Sequence, residues 1–196
     1  MKHDIYLVGV GGQGILTIGE IIAEAALEKG IPANFYPTKG MAQRGGFVKA
    51  QLRLGQNPVG PNIAEKGADL VIAMELSESC KAVRYIKPGG NFILLGNVWK
   101  PTKVMLGKAA YPSPEEVGEK VKTAGGRLCF IDPVSLPKFE GEPVPENVFI
   151  LGIVMSGTDL GKMIAAETVQ TVIENRWKRG IERNLFAFQK GLKFFN

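Results

Sequence analysis

Apolar residues along this chain fall into two rhythms. A compact apolar run at residues 5–10 and the segment 69–74, apolar after Asp69, have the pattern of strands buried on both faces. Ile15, Ile18, Ile21, Ile22, Ala25 and Ala26 recur before Gly30 at the spacing of one helix face. Residues 33–36 predict a short second strand closed by Pro37. Residues 47–54 set Val48, Ala50, Leu52 and Leu54 against Lys49, Gln51 and Arg53, which predicts a strand with one wetter face. A linker rich in Pro, Gly and Asn follows at 55–62. After the 69–74 strand come a helix to about residue 86, a turn at Pro88-Gly89-Gly90 and a strand at 91–95. Ser113-Pro114-Glu115-Glu116 unites a capping serine, a proline suited to the first helical position and an acid three residues on. That helix should end at Gly125-Gly126, before a strand at 127–132. The rest reads as helices at 147–155, 165–177 and from 181 to near 193. Alternating strands and helices predict an α/β fold: a three-layer, Rossmann-like, mostly parallel sheet with helices on both faces, in a single domain over 1–196.

Charge changes this picture little. The net charge is +5, but six basic residues lie between Arg176 and Lys193 against one acid, Glu182. The remaining basic and acidic residues balance, so the basicity belongs to the C-terminal end and calls for no nucleic acid. No apolar run approaches the length of a membrane span, and the expected location is cytoplasmic. Cys80 and Cys129 are the only cysteines and form no metal-ligand or redox spacing.

The first informative segment is Gly9-Val10-Gly11-Gly12-Gln13-Gly14, a G-x-G-x-x-G at a strand-to-helix junction. Glycines there permit positive φ and let backbone amides and a helix N-terminus approach an anion. A dinucleotide site also needs an acidic residue about 20 positions on, for the ribose hydroxyls. Residues 30–40 contain none, and the Gly-Lys-Ser/Thr of a P-loop is absent. Two readings stay open: a phosphate-bearing ligand, or close packing of helix, strand or a neighbouring subunit. The second segment, Thr38-Lys39-Gly40-Met41-Ala42-Gln43-Arg44-Gly45-Gly46, joins strands two and three. It should emerge beside the glycine loop, bringing Lys39 and Arg44, whose fork can hold a carboxylate or phosphate bidentately. No residue is assigned a catalytic or metal-binding role. His3 precedes the first strand as a solvated terminus, Cys129 is expected to be buried and inert, and Glu75 is either ligand-facing or a helix N-terminal acid.

Together the two loops resemble the γ subunit, or γ domain, of the 2-oxoacid:ferredoxin oxidoreductases. Lys39-Gly-Met-Ala-Gln-Arg-Gly-Gly46 is most similar to the branch containing the indolepyruvate oxidoreductase β subunit. Residues 68–75, 147–152 and Asn184, Ala187, Phe188 and Gly191 extend the resemblance over nearly the whole chain. The resemblance implies coenzyme A-dependent oxidative decarboxylation of a 2-oxoacid, with electrons passed to ferredoxin. Two cysteines cannot supply the four thiolates of a [4Fe–4S] cluster, and no Gly-Asp-Gly signature for Mg-diphosphate occurs. Within the resemblance, thiamine diphosphate, Mg and clusters therefore belong to partner subunits, ferredoxin is reached through the complex, and the isolated chain is inactive. Gly9, Gly11, Gly12, Gln13, Gly14, Lys39, Gln43 and Arg44 are expected to form a rim for coenzyme A phosphates or inter-subunit contact. The alternatives are a stand-alone nucleotide- or anion-binding module and a structural adaptor.

Overall fold

The computed structural model describes residues 1–39 and 46–195. Its centre is a six-stranded sheet ordered β2-β3-β1-β4-β5-β6, made of β1 (His3–Val10), β2 (Ala33–Lys39), β3 (Phe47–Leu54), β4 (Ala68–Ala73), β5 (Ile86–Leu95) and β6 (Arg127–Ile131). β1, β4, β5 and β6 pair in parallel. β3 runs against both of its neighbours, β1 and β2. The sheet is thus mostly parallel, with one reversed strand next to its middle.

Helices cover both faces, and strand alternation decides which residue meets which layer. α1 (Ile15–Glu28), α5 (Glu146–Gly157), α7 (Ala166–Arg176) and α8 (Ile181–Leu192) pack over Ile5, Leu7, Leu70, Ile72, Ile93 and Leu95. On the other face α2 (Leu76–Ala82) and α4 (Pro114–Thr123) pack over Tyr6, Val8, Val71, Ala73, Phe92 and Leu94. Each fully buried Ile, Leu or Phe of this kind contributes roughly 1.5–3 kcal/mol. α5 is buried on nearly all sides and crosses α8 at glycines. A Cβ on Gly152 would lie 2.9 Å from the Cα of Gly191, and a Cβ on Gly191 2.9 Å from the Cα of Gly152. Any side chain at either position must push backbone aside, so this pair sets the helix separation. Short elements complete the chain: α3 (Thr102–Met105), α6 (Leu160–Met163) and a hairpin of β7 (Lys138–Phe139) and β8 (Glu142–Pro143). Among the described residues no helix is long and apolar enough to cross a membrane.

Several sequence expectations change in detail. β2 does not stop at Tyr36 but continues through Pro37 to Lys39. As an edge strand bonded only to β3, it tolerates the missing proline N–H. Pro88-Gly89-Gly90 lies within β5 instead of turning between elements, and its pairing with β4 carries a register shift. His3 is not a solvated terminus: it pairs with Leu54 inside β1 and is buried. β3 extends far enough to recruit it. The capping box at Ser113 is present, with the Glu116 N–H donating to Ser113 Oγ at 3.2 Å and the Ser113 N–H to Glu116 Oε2 at 3.1 Å.

Candidate functional site

β1 leads into α1 on one face of the sheet, while β4 leads into α2 on the other. The chain therefore parts between the ends of β1 and β4, and such a parting opens the crevice where ligands of α/β sheets collect. The glycine loop sits at its lip.

The four described glycines of the motif that can be compared do not share one reason for being glycine. A Cβ on Gly9 would lie 2.6 Å from Gln13 Oε1 and 2.9 Å from the Ile15 side chain. Gly14, at φ +72°, caps α1 and is covered by the side chain of Asn147 from α5. These two serve packing. Gly12 is exposed at φ +104° and has nothing within 4 Å of where a Cβ would stand. It supplies a left-handed turn and leaves space above the backbone. Gly11 donates its N–H to Gly46 O at 2.9 Å, which fixes the start of β3 beside the glycine loop.

Gln13 does something the sequence did not reveal. Its Oε1 accepts from the Val10 N–H at 2.9 Å, and its Nε2 donates to Met74 O at 2.6 Å. The amide spans the parting from the end of β1 to the end of β4, and both of its polar ends are engaged within the chain. By contrast α1 has no side-chain cap among the described residues, and its first-turn amides, which no helix can satisfy internally, suit an external acceptor.

β2 and β3 form a hairpin whose Lys39 pairs with Val48, next to the Gly9–Val48 pair. The residues that flank the joining segment, Lys39 and Gly46, consequently lie beside the glycine loop, by antiparallel pairing and not by a parallel crossover. The backbone of Lys39 closes β2. Its side chain, and the candidates Gln43 and Arg44, lie outside the described residues.

Glu75 proves to be a fully buried cap of α2. Its Oε2 accepts from the Glu78 N–H at 2.7 Å and from Ser77 Oγ at 3.0 Å. Its Oε1 accepts from the Trp99 N–H at 3.2 Å and from the Tyr111 hydroxyl. Burial, and then the Glu75 carboxylate, push the Tyr111 hydroxyl up to about 12. The helix-terminal role foreseen for Glu75 is correct, and the spacing of one residue gave no sign of its links to the far loop. Cys129 is partly buried, with its thiol pushed up to about 11 by desolvation, far from a thiolate at neutral pH. Cys80 lies in α2 and packs within the layer of α2 and α4, whereas Cys129 packs toward the opposite face.

A family model described as pyruvate ferredoxin/flavodoxin oxidoreductase matches residues 4–194. The chain belongs to that family. Members similar to this oxidoreductase chain include the indolepyruvate oxidoreductase subunit IorB of Pyrococcus horikoshii, 31% identical, with 98% of this chain and 95% of that protein covered. The pyruvate/ketoisovalerate oxidoreductases common subunit gamma of Pyrococcus abyssi is 30% identical, with 97% and 95% covered. The solved pyruvate oxidoreductase subunit PORC of Thermotoga maritima superposes with a TM-score of 0.70 at 21% identity, covering 98% of this chain and 96% of that one. The 2-oxoglutarate:ferredoxin oxidoreductase of Magnetococcus marinus gives a TM-score of 0.63 at 19% identity, with 98% of this chain and 30% of that one covered. At these identities the two structures bear on the fold, which they share with this family member throughout its length. Asn147 and Gly152 fall in the stretch that carried the resemblance, as do Asn184 and Gly191. The geometry gives three of them work: Asn147 covers Gly14, and Gly152 meets Gly191.

Proposed function

We propose that this chain is the subunit without redox cofactors in a cytoplasmic 2-oxoacid:ferredoxin oxidoreductase, of the indolepyruvate or the pyruvate/ketoisovalerate type. The complex decarboxylates a 2-oxoacid oxidatively, passes electrons to ferredoxin and places the acyl group on coenzyme A. The observation that carries this reading is the family match over 4–194 in a chain with two cysteines. Those thiols pack toward opposite faces of the sheet, so they do not fit a shared iron–sulfur cluster. Thiamine diphosphate, Mg and the [4Fe–4S] clusters are assigned to partner subunits, and the isolated chain is inactive. Such chemistry is the cofactors' own, with protein supplying position and electrostatics.

Within the complex, Gly11, Gly12, Lys39, Gln43 and Arg44 form a rim that meets the cofactor-bearing subunits or the phosphates of coenzyme A. The exposed Gly12 and the start of α1, uncapped among the described residues, support it, because helix-terminal amides suit an anion. Gln13 takes part by holding the loop in place. Gentle purification from the source organism should yield iron, thiamine diphosphate and additional chains together with this one. In the reconstituted complex Arg44→Ala should weaken assembly or raise the coenzyme A concentration needed for half-maximal rate, with the thermal midpoint of the chain unchanged. Unaltered assembly and kinetics would remove Arg44 from the rim. Reduction of ferredoxin from a 2-oxoacid by the lone recombinant chain would end the whole reading.

A further inference from the structure

Between β5 and α4 the chain leaves the sheet on an excursion that nothing in the fold uses as core. Within residues 98–110 only Val104 is partly buried. Val98, Trp99, Met105 and Leu106 are 55%, 54%, 68% and 62% exposed. A single exposed apolar side chain is ordinary, but four within nine positions make a patch. Lys100, Lys103 and Lys108 are interspersed with them, and no acidic residue occurs between Glu78 and Glu115. Among the described residues none of the three lysines has a carboxylate partner.

Both ends of the excursion are fastened. The Leu76 N–H donates to Asn97 O at 2.9 Å, and Asn97 Nδ2 donates to Glu146 Oε2 at 2.6 Å. Beyond them the buried Glu75 carboxylate holds the Trp99 N–H at one end and the Tyr111 hydroxyl at the other. A buried carboxylate left with vacant acceptor positions is costly, so these donors are held firmly. The apolar side chains are consequently displayed on an anchored loop, which lowers the ordering cost of binding.

We propose that residues 98–110 are the docking face for another protein of the complex, one whose surface presents carboxylates around an apolar recess that receives Trp99. This rests on the subunit reading above. Tryptophan and methionine are enriched in the cores of protein interfaces, and uncompensated lysines around them select an acidic partner surface and speed its approach. A second copy of this chain is disfavoured, because a two-fold contact sets the same lysines against one another. α3, at four residues, is too short to lie in a membrane interface as an amphipathic helix.

The test titrates the purified chain with the thiamine- and iron–sulfur-bearing subunits of its own organism and follows assembly by sedimentation. Trp99→Ala should weaken assembly about 30-fold. The triple variant Lys100→Glu, Lys103→Glu, Lys108→Glu should weaken it about 100-fold and flatten its dependence on salt. The control pair Lys178→Glu, Arg179→Glu, on the exposed turn between α7 and α8, should stay within about twofold of the parent. A photo-cross-linking residue at position 105 should join a carboxylate-rich stretch of a partner subunit. Circular dichroism melts identical to the parent show that losses arise at the surface. Parent-like assembly of both 98–110 variants, or an equal loss in the control pair, overturns the docking face while the subunit reading stands. Binding of the parent chain to anionic phospholipid vesicles, abolished by the triple variant, overturns it in favour of a membrane surface. If the parent joins none of those subunits, the subunit reading and the docking face fall together.

Discussion

At the start of β1 the charged side chains close on one another, whereas at its finish backbone amides and lysines have no such partners among the described residues. Asp4 accepts from Arg53 Nε at 2.9 Å, from Arg53 Nη2 at 3.2 Å and from Gln56 Nε2 at 2.9 Å. Its own N–H donates to Asp69 Oδ2 at 2.7 Å, and Asp69 pairs in turn with Lys87. That network ties β1, β3, β4 and β5 together at one end of the sheet. At the other end, among the described residues, Gly12 is exposed, α1 has no side-chain cap, and Trp99 with three lysines stands in solvent. A sheet whose strands are locked at one end can leave the other irregular without losing register. The locked end concerns stability and the open end concerns partners, and substitutions at the two ends should separate accordingly.

The largest stability effect belongs to the locked end. Arg53→Leu removes the main partner of a nearly inaccessible Asp4, and breaking such a pair costs about 3 kcal/mol. The sign of its pH dependence follows from Asp4. Burial alone would raise that carboxyl, but the hydrogen bonds from Arg53 and Gln56 and the nearby cations outweigh it and hold the group below its ordinary value. Its stabilisation is therefore complete above about pH 4 and is lost as pH falls through the lower folded value. Urea midpoints should show the variant's deficit at pH 7 and a smaller deficit as pH falls below about 4, where the unfolded chain takes up the proton and the parent's advantage is being lost. An equal deficit in both ranges would mean that Arg53 acts by packing alone.

Gln13 sits at the open end yet should behave partly like the locked one. Gln13→Ala leaves the Val10 N–H and Met74 O without their present partner, a loss of about 2 kcal/mol for groups of this burial. Gln13→Glu sharpens the comparison, since it keeps the acceptor for Val10 but turns the donor facing Met74 O into a second acceptor. Denaturation should therefore find both variants weakened. Assembly with the cofactor-bearing subunits should weaken by more than stability predicts if the loop is also a contact. Losses in assembly that merely track stability would confine Gln13 to the fold.

How much of this was legible beforehand depends on the range of the interaction. β1, α1 and the α4 cap announce themselves within a few residues, by an apolar run, a helical spacing and a Ser-Pro-Glu-Glu start. The reversed direction of β3 was not legible, because alternation reports burial on two faces and is silent about which way a strand runs. Pro37 argued for a stop, and only the edge position of β2 shows why it does not make one. At the site the glycines were visible, but their different reasons were not. Gly9 answers to Gln13, and Gly14 to Asn147 more than 130 positions away. Glu75 could be placed at a helix start from its neighbours in sequence, whereas its hold on Trp99 and Tyr111 needs the return of a distant loop. Local chemistry was readable, and long-range hydrogen bonding was not.

The smallest expected effect concerns the residue most misplaced by its position near the terminus. His3 is buried in β1, and among the described residues its Nε2 has no hydrogen-bond partner. Desolvation lowers its pKa, assisted by the Lys87 ammonium and opposed by the carboxylates of Asp69, Asp159 and Asp4. In the unfolded chain the imidazole titrates near pH 6.5, so the native state binds the proton less readily. Its contribution to stability is therefore fully present above about pH 6.5 and declines as pH falls through the lower folded value. His3→Gln removes the titrating group while keeping a polar side chain of similar reach. Relative to the parent, the variant should lose less stability between pH 7 and pH 5. This window lies above the one governed by Asp4, so the two contributions separate along a single pH series. If parent and variant change in parallel over that interval, the histidine is not the buried neutral group at the locked end, and the acid sensitivity of that end rests on Asp4 instead.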